Sequence, residues 1–353
     1  MTNFKKYSPL LAIALLIVFI LITISQPKAP EKYTKAYLGV FDTVTQFIGY
    51  ADSQEEFLEQ AETLKKELET YHMLYDIYTY SYGTDINTLR TINENAGIEP
   101  VKVDQKIIDL LKFSIDLYHK TDGEINIAMG SVLKIWHVYR NDGINDPEYA
   151  TLPPMEKLEE AAKHTDIHNI IIDEEASTVY LADPKMSIDV GSIGKGFAVQ
   201  RVSEYARELG YNHMVIDVGG NVVSVGPRGD NTDWKFAIQN PDLEDKNPQL
   251  EVVSFSDKTL VTSGDYQRYY VVDGVEYCHI IDPDTLMPAN YSQSVSILTD
   301  HSGLADALST AVFNMPYEEG LALINSIENT EALWVLEDGS IRYSENFEEY
   351  IVE

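Results

Sequence analysis

The chain opens on an uncharged apolar block, residues 8–25, and then alternates between stretches of period two and stretches of period three to four. The block approaches the ~20 residues that span a bilayer. Lys5 and Lys6 precede it, which places residues 1–7 on the cytoplasmic side. No small-x-small cleavage site follows it and no cysteine lies nearby, so it reads as a retained signal anchor rather than a cleaved signal peptide. Residues 26–36, with Pro27 and Pro30, read as a linker, and residues 37–353 as one extracytoplasmic domain.

Beyond the linker, the periods predict a mixed set of elements. Tyr37–Tyr50 alternates apolar and polar positions and predicts a strand. Ser53 and Glu56 form a capping box ahead of Phe57, Ala61, Leu64 and Leu68, the apolar face of a helix. Tyr71–Gly97 is aromatic and irregular. A second helix is predicted over Asp104–Lys120, stopped by Thr121-Asp122-Gly123. Ala128–Tyr139 is apolar and carries Trp136. A short helix at Met155–Lys163 precedes strands near Asn169–Ile172 and Thr178–Leu181. Ser187–Phe197 is a glycine loop that leads into a helix over Phe197–Leu209. Strands follow at His213–Val218, Asn221–Val225 and Trp234–Ile238, then a polar excursion at Asn240–Gln249. Ala305–Phe313 is helical by period.

The stretch Gln267–Ile281 predicts a hairpin, because Asp273-Gly274 is a type I′ turn signal between two strand-like runs. A two-residue loop pairs Val272 with Val275, and so Arg268 with His279. Directly paired residues share a sheet face, and neighbours along a strand do not. Arg268 and His279 then stand side by side while Cys278 faces away, which argues against a Cys-His nucleophile pair.

Charge narrows the function classes. The 353-residue chain carries 57 acidic and 26 basic residues, a formal net charge of -31. Such an excess argues against nucleic acid and against anionic lipid as partners. The single cysteine, Cys278, allows no internal disulfide. No Cys/His set has zinc spacing, and no Gly-x-Ser-x-Gly elbow occurs.

Three features carry candidate chemistry. In Ser187–Phe197, glycines and a helix start offer backbone N–H groups to an anion, Lys195 adds a charge, and Asp189 can accept a hydrogen bond. The glycine order, Gly191, Gly194 and Gly196, matches neither the P-loop nor the dinucleotide fingerprint. The loop is therefore a phosphate cradle of another type or a tight turn. Asp306 and Thr310 lie four apart on one helix face, with Ser309 beside them. Hard oxygens of that kind suit Mg²⁺, while a solvated or capping pair is the commoner origin of such spacing. His279 is a candidate base or a plain strand histidine.

Several stretches in order sharpen these alternatives. They are Asp189-Val-Gly-Ser-Ile-Gly-Lys-Gly-Phe-Ala, Asp217-Val-Gly-Gly-Asn, Thr262-Ser-Gly-Asp-Tyr-Gln-Arg-Tyr, His279-Ile-Ile-Asp-Pro and Ala305-Asp-Ala-Leu-Ser-Thr-Ala. Together they resemble the ApbE family of FAD:protein FMN transferases, from about Tyr37 to near the C-terminus. The resemblance implies an α+β fold of largely antiparallel, mixed sheets with packed helices and a T-fold-like core, behind the N-terminal transmembrane helix. It implies a Mg²⁺-dependent enzyme outside the cytoplasmic membrane. FAD is its substrate, FMN is joined by a phosphoester bond to Thr or Ser of an acceptor flavoprotein, and AMP leaves. Carried over by position, the metal ligands are Asp306, Thr310 and the Ser192 carbonyl, with Ser309 where some members have a further Asp. Phe41, Tyr78, Glu124, Ile125, Asn126, Asp189, Lys195 and Ile281 would contact FAD. His279 is the candidate base with Asp265 as rival, and Arg268 would keep His279 neutral by charge repulsion. The chain departs from the family at Phe41-Asp42-Thr43 (usually Met-Gly-Thr), at Asn126-Ile127-Ala128 (usually Asp-Pro-Thr) and at Leu286 (usually Gly). The rival functions are an FAD pyrophosphatase and an anchored flavin carrier. No Asp-x-x-Thr-Gly-Ala-Thr sequence is present, so self-flavinylation is not expected.

Overall fold

The first predicted strand resolves into a hairpin. β1 (Glu31–Val40) and β2 (Thr43–Ala51) are joined by Phe41 and Asp42, with φ of 51° and 53°. Two successive left-handed residues make the type I′ connection that matches the twist of paired strands. Neither is glycine, so the alternation over Tyr37–Tyr50 shows no break. Asp42 stands where the family usually has glycine, and its backbone keeps the glycine-like conformation. β1 also starts inside the stretch read as a linker, because Tyr33 stacks on Phe57 with ring centroids 5.8 Å apart. The computed structural model describes residues 30–79 and 86–352. The apolar block at 8–25, with its anchor reading, lies outside them. Among the described residues no helix is long and apolar enough to cross a membrane.

Helix α1 (Gln54–Tyr75) starts at the expected cap: the Ser53 hydroxyl accepts from Glu56 N at 3.2 Å, and the Glu56 carboxylate from Asp52 N at 3.1 Å. It runs a turn into the stretch read as irregular, which also holds α2 (Leu89–Glu94). After β3 (Val101–Lys102), α3 (Gln105–Lys120) ends where Asp122 and Gly123 take positive φ. α4 (Gly130–Asn145) and α5 (Met155–Ala162) follow. β4 (Ile170–Asp173) and β5 (Thr178–Leu181) form a small sheet with β3. α6 (Gly194–Glu208) begins three residues earlier than its pattern predicts, so Lys195 and Gly196 sit in its first turn.

The remaining strands are β6 (Met214–Val218), β7 (Asn221–Val225), β8 (Trp234–Gln239), β9 (Gln249–Phe255), β10 (Thr259–Gly264), β11 (Tyr269–Val272), β12 (Val275–Cys278) and β13 (Ser292–Thr299). Then come α7 (Ser302–Phe313), α8 (Tyr317–Asn325), β14 (Glu331–Leu336) and β15 (Ile341–Tyr343). The pattern reading finds none of β9, β10, β13, β14 and β15. β13 explains why: it is buried on nearly every position, so its serines and aliphatics do not mark an outside and an inside.

Eight strands join into one sheet, ordered β1-β2-β6-β7-β10-β13-β14-β15. Every pair of named strands is antiparallel. Among the described residues parallel pairing is confined to an isolated Met129–Ser187 bridge, so the sheets are antiparallel rather than mixed. Alternation along β13 divides two cores. Val295 and Ile297 pack with Ala305, Leu308 and Val312 of α7. Leu298 faces the β8–β9 hairpin through Val253 and Phe255. α7 is apolar nearly all round because it lies between the sheet and α6. That sandwiched helix carries Asp306 and Thr310.

Candidate active site

A cavity of about 430 Å³ opens where the first turn of α6, the β1–β2 and β6–β7 turns, α4, the β11–β12 hairpin and α7 converge. At one end α6 meets α7. Gly196 makes this contact possible: a Cβ there would stand 2.4 Å from Asp306 Cβ and from the Ser302 carbonyl. The Gly196 N–H donates to Asp306 Oδ2 at 2.7 Å. Lys195 Nζ donates to Asn221 Oδ1 at 3.1 Å and lies 3.9 Å from Asp306 Oδ1. Burial pushes the Asp306 carboxyl up, while Lys195, the Gly196 N–H and the Asn221 amide oppose that shift. Asp306 and Thr310 both face the cavity, as does Ser192. Ser309 does not. It is fully buried, and its hydroxyl bonds Ser263 Oγ at 2.8 Å and the Asp306 carbonyl at 2.9 Å.

Among the described residues no three His, Cys, Asp or Glu side chains converge on a metal position. A cation at Asp306 would therefore take one carboxylate plus hydroxyl, backbone, water and substrate oxygens. That donor set fits Mg²⁺, which keeps waters and shares phosphate oxygens, and does not fit zinc.

At the other end, α4 meets the β11–β12 hairpin. The hairpin has the expected register, Val272 opposite Val275, with Asp273 and Gly274 at φ 51° and 81°. Its last ladder pair is Tyr269–Cys278, and Arg268 and His279 continue it into the cavity wall. Cys278 points into the core beside Val261 and Val295, and burial raises its thiol to about 11. The His279 pKa is pushed down to about 4. Burial is the largest cause, with Arg268 and Arg140 adding to it, so charge repulsion is the secondary effect. His279 Nδ1 is buried and has no hydrogen-bond partner among the described residues.

α4 contributes residues that the sequence reading passes over. Trp136, His137 and Arg140 all line the cavity. Tyr78 stacks on His137, centroids 4.8 Å apart at 25°. Arg140 donates to His137 Nδ1 at 3.1 Å, and the Asn141 amide reaches Nε2 at 2.9 Å. Among the described residues the arginines in ion pairs are Arg90, Arg201, Arg207 and Arg228, and Arg140 and Arg268 are not among them. Burial and the neighbouring Arg268 lower the Arg140 pKa. The available signal was the i, i+1, i+4 spacing of Trp136, His137 and Arg140, which puts them on one helix side.

The other expected contacts divide. Phe41, Glu124, Asn126, Asp189 and Ile281 line the cavity. The Phe41 N–H is held by His72 Nδ1 at 3.2 Å. The Asn126 side chain is spent on backbone, donating to the Thr165 carbonyl and accepting from Ala128 N. Burial, then Asp284 and Asp282, raise Glu124 to about 7. Asp189 accepts from Gly191 N at 2.8 Å, and burial raises its carboxyl. Ile125 is instead a core residue, because the turn after α3 points it inward. Asp265 is off the cavity wall: its backbone bonds Gln293, and burial with Glu337 and Glu276 raises its carboxyl to about 6. Leu286 has φ 60°, the conformation that suits the usual glycine, and its carbonyl accepts from Trp136 Nε1 at 2.9 Å.

The sequence model of the ApbE family matches residues 41–334. The chain is 34% identical over 278 residues to a Treponema pallidum (strain Nichols) protein named FAD:protein FMN transferase, with 75% of each chain covered. It is 28% identical over 273 residues to a Vibrio cholerae protein of the same name, covering 76% of this chain and 78% of that one. In three dimensions it superposes on an ApbE protein of Thermotoga maritima with a TM-score of 0.78 and 28% identity, over 92% of this chain and 100% of the other. It is also similar to the flavin transferase ApbE from Vibrio cholerae, with a TM-score of 0.74 and 24% identity over 91% and 99% of the two chains, a likeness of fold.

Proposed function

The chain belongs to the ApbE family, and from that premise we propose that it is an FAD:protein FMN transferase. The observation that carries the reading is a convergence of cationic groups in an acidic protein. Lys195, Arg140, Arg268 and the α6 N-terminus meet at one cavity, around a histidine held neutral. The carboxyls that share the cavity lining, Glu124, Asp189 and Asp306, have their pKa values pushed up by burial. Such a cavity suits a pyrophosphate and a neutral base.

In this reading the first turn of α6 and Lys195 bind the FAD pyrophosphate. Asp306 and Thr310, with the Ser192 carbonyl, hold Mg²⁺, which when bound neutralises charge on phosphate oxygens. Tyr78, stacked against His137, offers a face to a ring of the flavin nucleotide. His279 accepts the proton of the acceptor Thr or Ser hydroxyl. The hydroxyl oxygen forms a bond to the FMN phosphorus, the bond to the bridging oxygen breaks, and AMP leaves with its electron pair. Arg268 and Arg140 offset charge gathering on the reacting phosphoryl oxygens. Asp265, away from the wall, is the weaker candidate for the base. The uncharged run at 8–25 supports a membrane-anchored domain outside the cytoplasm, and protease accessibility in intact cells tests that placement.

The deciding experiment incubates the protein with FAD, Mg²⁺ and a threonine-bearing acceptor peptide, beside an Asp306→Ala control. An FMN-sized mass added to the peptide, absent in the control, is expected. Free FMN and AMP with an unlabelled peptide would instead make the protein a pyrophosphatase. Unchanged, bound FAD would make it a carrier.

A further inference from the structure

We infer that Asn221 is a positioning residue for this site: it holds the Lys195 ammonium off the Asp306 carboxylate, so that both charges stay open to substrate and cation. The inference rests on the flavin-transfer reading and names the device that keeps that site from closing on itself.

Asn221 is the first residue of β7, just after the Gly219-Gly220 turn, and is 1% exposed. It pairs with Val218 on one side and Val261 on the other, so its backbone is fixed inside the large sheet. The turn before it is tied as well: Gly219 N donates to the Val44 carbonyl and Gly220 N to Asp217 Oδ1. From this rigid base the Asn221 amide bonds Lys195, whose ammonium lies 3.9 Å from Asp306 Oδ1. Oδ1 accepts from Lys195 at 3.1 Å. Nδ2 is buried without a hydrogen-bond partner of ordinary geometry, and the amide favours the ionised form of Asp306.

The spacing around it is unusual for opposite charges. Lys195 Nζ stops 3.9 Å from Asp306 Oδ1, well beyond the ~2.8 Å of a charge-assisted hydrogen bond. In a partly buried place the two attract strongly. Two bonds resist closure: Asn221 Oδ1 draws the ammonium toward the sheet, and the Gly196 N–H fixes the carboxylate through Oδ2. Without Asn221 the ammonium would settle on Oδ1, the oxygen that Gly196 leaves free. Lysine would then be withdrawn from the pyrophosphate, and the cation would have to displace it from Asp306. Asn221 does not itself form the cavity wall, so it acts through these two neighbours.

The test compares wild type, Asn221→Ala, Lys195→Met and the double variant by Mg²⁺ titration of FMN transfer and, separately, by the rise in Tm that Mg²⁺ produces. Asn221→Ala should raise half-saturating Mg²⁺ at least tenfold in both readouts, and excess Mg²⁺ should restore most of the rate. On the Lys195→Met background the same change should shift half-saturation less than twofold, because no ammonium is left to hold. Should Asn221→Ala fail to fold, Asn221→Ser, whose hydroxyl is too short to reach Lys195, carries the same expectation. Unchanged Mg²⁺ dependence, or equal shifts on both backgrounds, overturns the inference. A wild type that transfers no FMN sinks the transfer reading instead, and the Tm readout still reports on Asn221.

Discussion

The two ends of the cavity handle charge in opposite ways. Where α6 meets α7, the protein fixes its own groups with internal bonds: Gly196 holds Asp306 Oδ2, Asn221 holds Lys195 and Ser263 holds Ser309, while Asp306 Oδ1 is left untied among the described residues. Where α4 meets the β11–β12 hairpin, groups are left open. His279 Nδ1 has no partner among the described residues, and Arg140 and Arg268 stand near one another without an ion pair. The first arrangement fixes geometry before any ligand arrives. The second leaves those two arginines, without an ion-pair contact among the described residues, and a neutral base for groups that substrate must bring. Preorganised dipoles at one end and open donors at the other are what a transfer between two substrates requires.

Breaking the tied end should cost most. Asp306→Ala removes the carboxylate around which that end is built, and transfer should fall on the order of 10³-fold or more. If single-turnover transfer falls less than tenfold, the α6–α7 end is scaffold rather than site.

At the open end, His279→Ala should lower transfer ~10²–10³-fold while FAD affinity by fluorescence titration changes little. The pH–rate profile sharpens the point. With its pKa near 4, His279 stays neutral through the mildly acidic range, so the acid limb should centre near 4 and not near 6.5. An acid limb near 6.5, with His279→Ala unchanged, would remove His279 from the mechanism. Stability follows from the same shift. Above pH 6.5 the group is neutral folded and unfolded and costs nothing. Between 6.5 and 4 the unfolded chain takes the proton first, so stability falls as pH falls. His279→Gln should flatten that part of a Tm-versus-pH curve.

Arg140→Ala should weaken transfer by about 1.5–3 kcal/mol, roughly ten- to a hundredfold, the range for hydrogen bonds to charged groups. Arg140→Lys should recover only part of it, since a point charge does not replace the fork that also holds His137. Equal activity of the Lys variant and wild type would reduce Arg140 to a charge.

The smallest effect should come from Leu286, whose backbone touches this end through Trp136. Leu286→Gly relieves a left-handed conformation worth about 1–2 kcal/mol but gives up a buried side chain worth about 2–5 kcal/mol. A net loss of roughly 1–3 kcal/mol in denaturant melts is expected, with transfer per folded molecule nearly unchanged. A gain in stability would mean that Leu286 is strained without compensation.

Local signals announced themselves where they were strong. The capping box at Ser53, the stop at Asp122-Gly123 and the Asp273-Gly274 turn all stand where the pattern puts them. The turn at Phe41-Asp42 escaped because its residues are not those that left-handed backbone usually selects. β10, β13 and β14 escaped for another reason: strands buried on both faces lose the alternation that would reveal them. At the site, Asp306 with Thr310 and the Arg268–His279 pair could be read from short-range spacing. Trp136, His137 and Arg140 shared a helix side, but nothing nearby in the chain said that this side was functional.

The ordered motifs of the sequence carried, through resemblance, the family and an α+β class, and the sequence by itself determined the glycine loop with its lysine and the side on which each hairpin residue falls. The hairpin sides and the loop follow from the period of two and from turn chemistry, which act over a few residues. Only the tertiary structure decided that Ile125 belongs to the core, that Ser309 is tied to Ser263, that Asp265 stands off the wall, and that Asn221 holds Lys195. Those outcomes depend on which segments, distant in the chain, come into contact and exclude water. Burial and neighbouring charge, more than residue type, then set what each group can do.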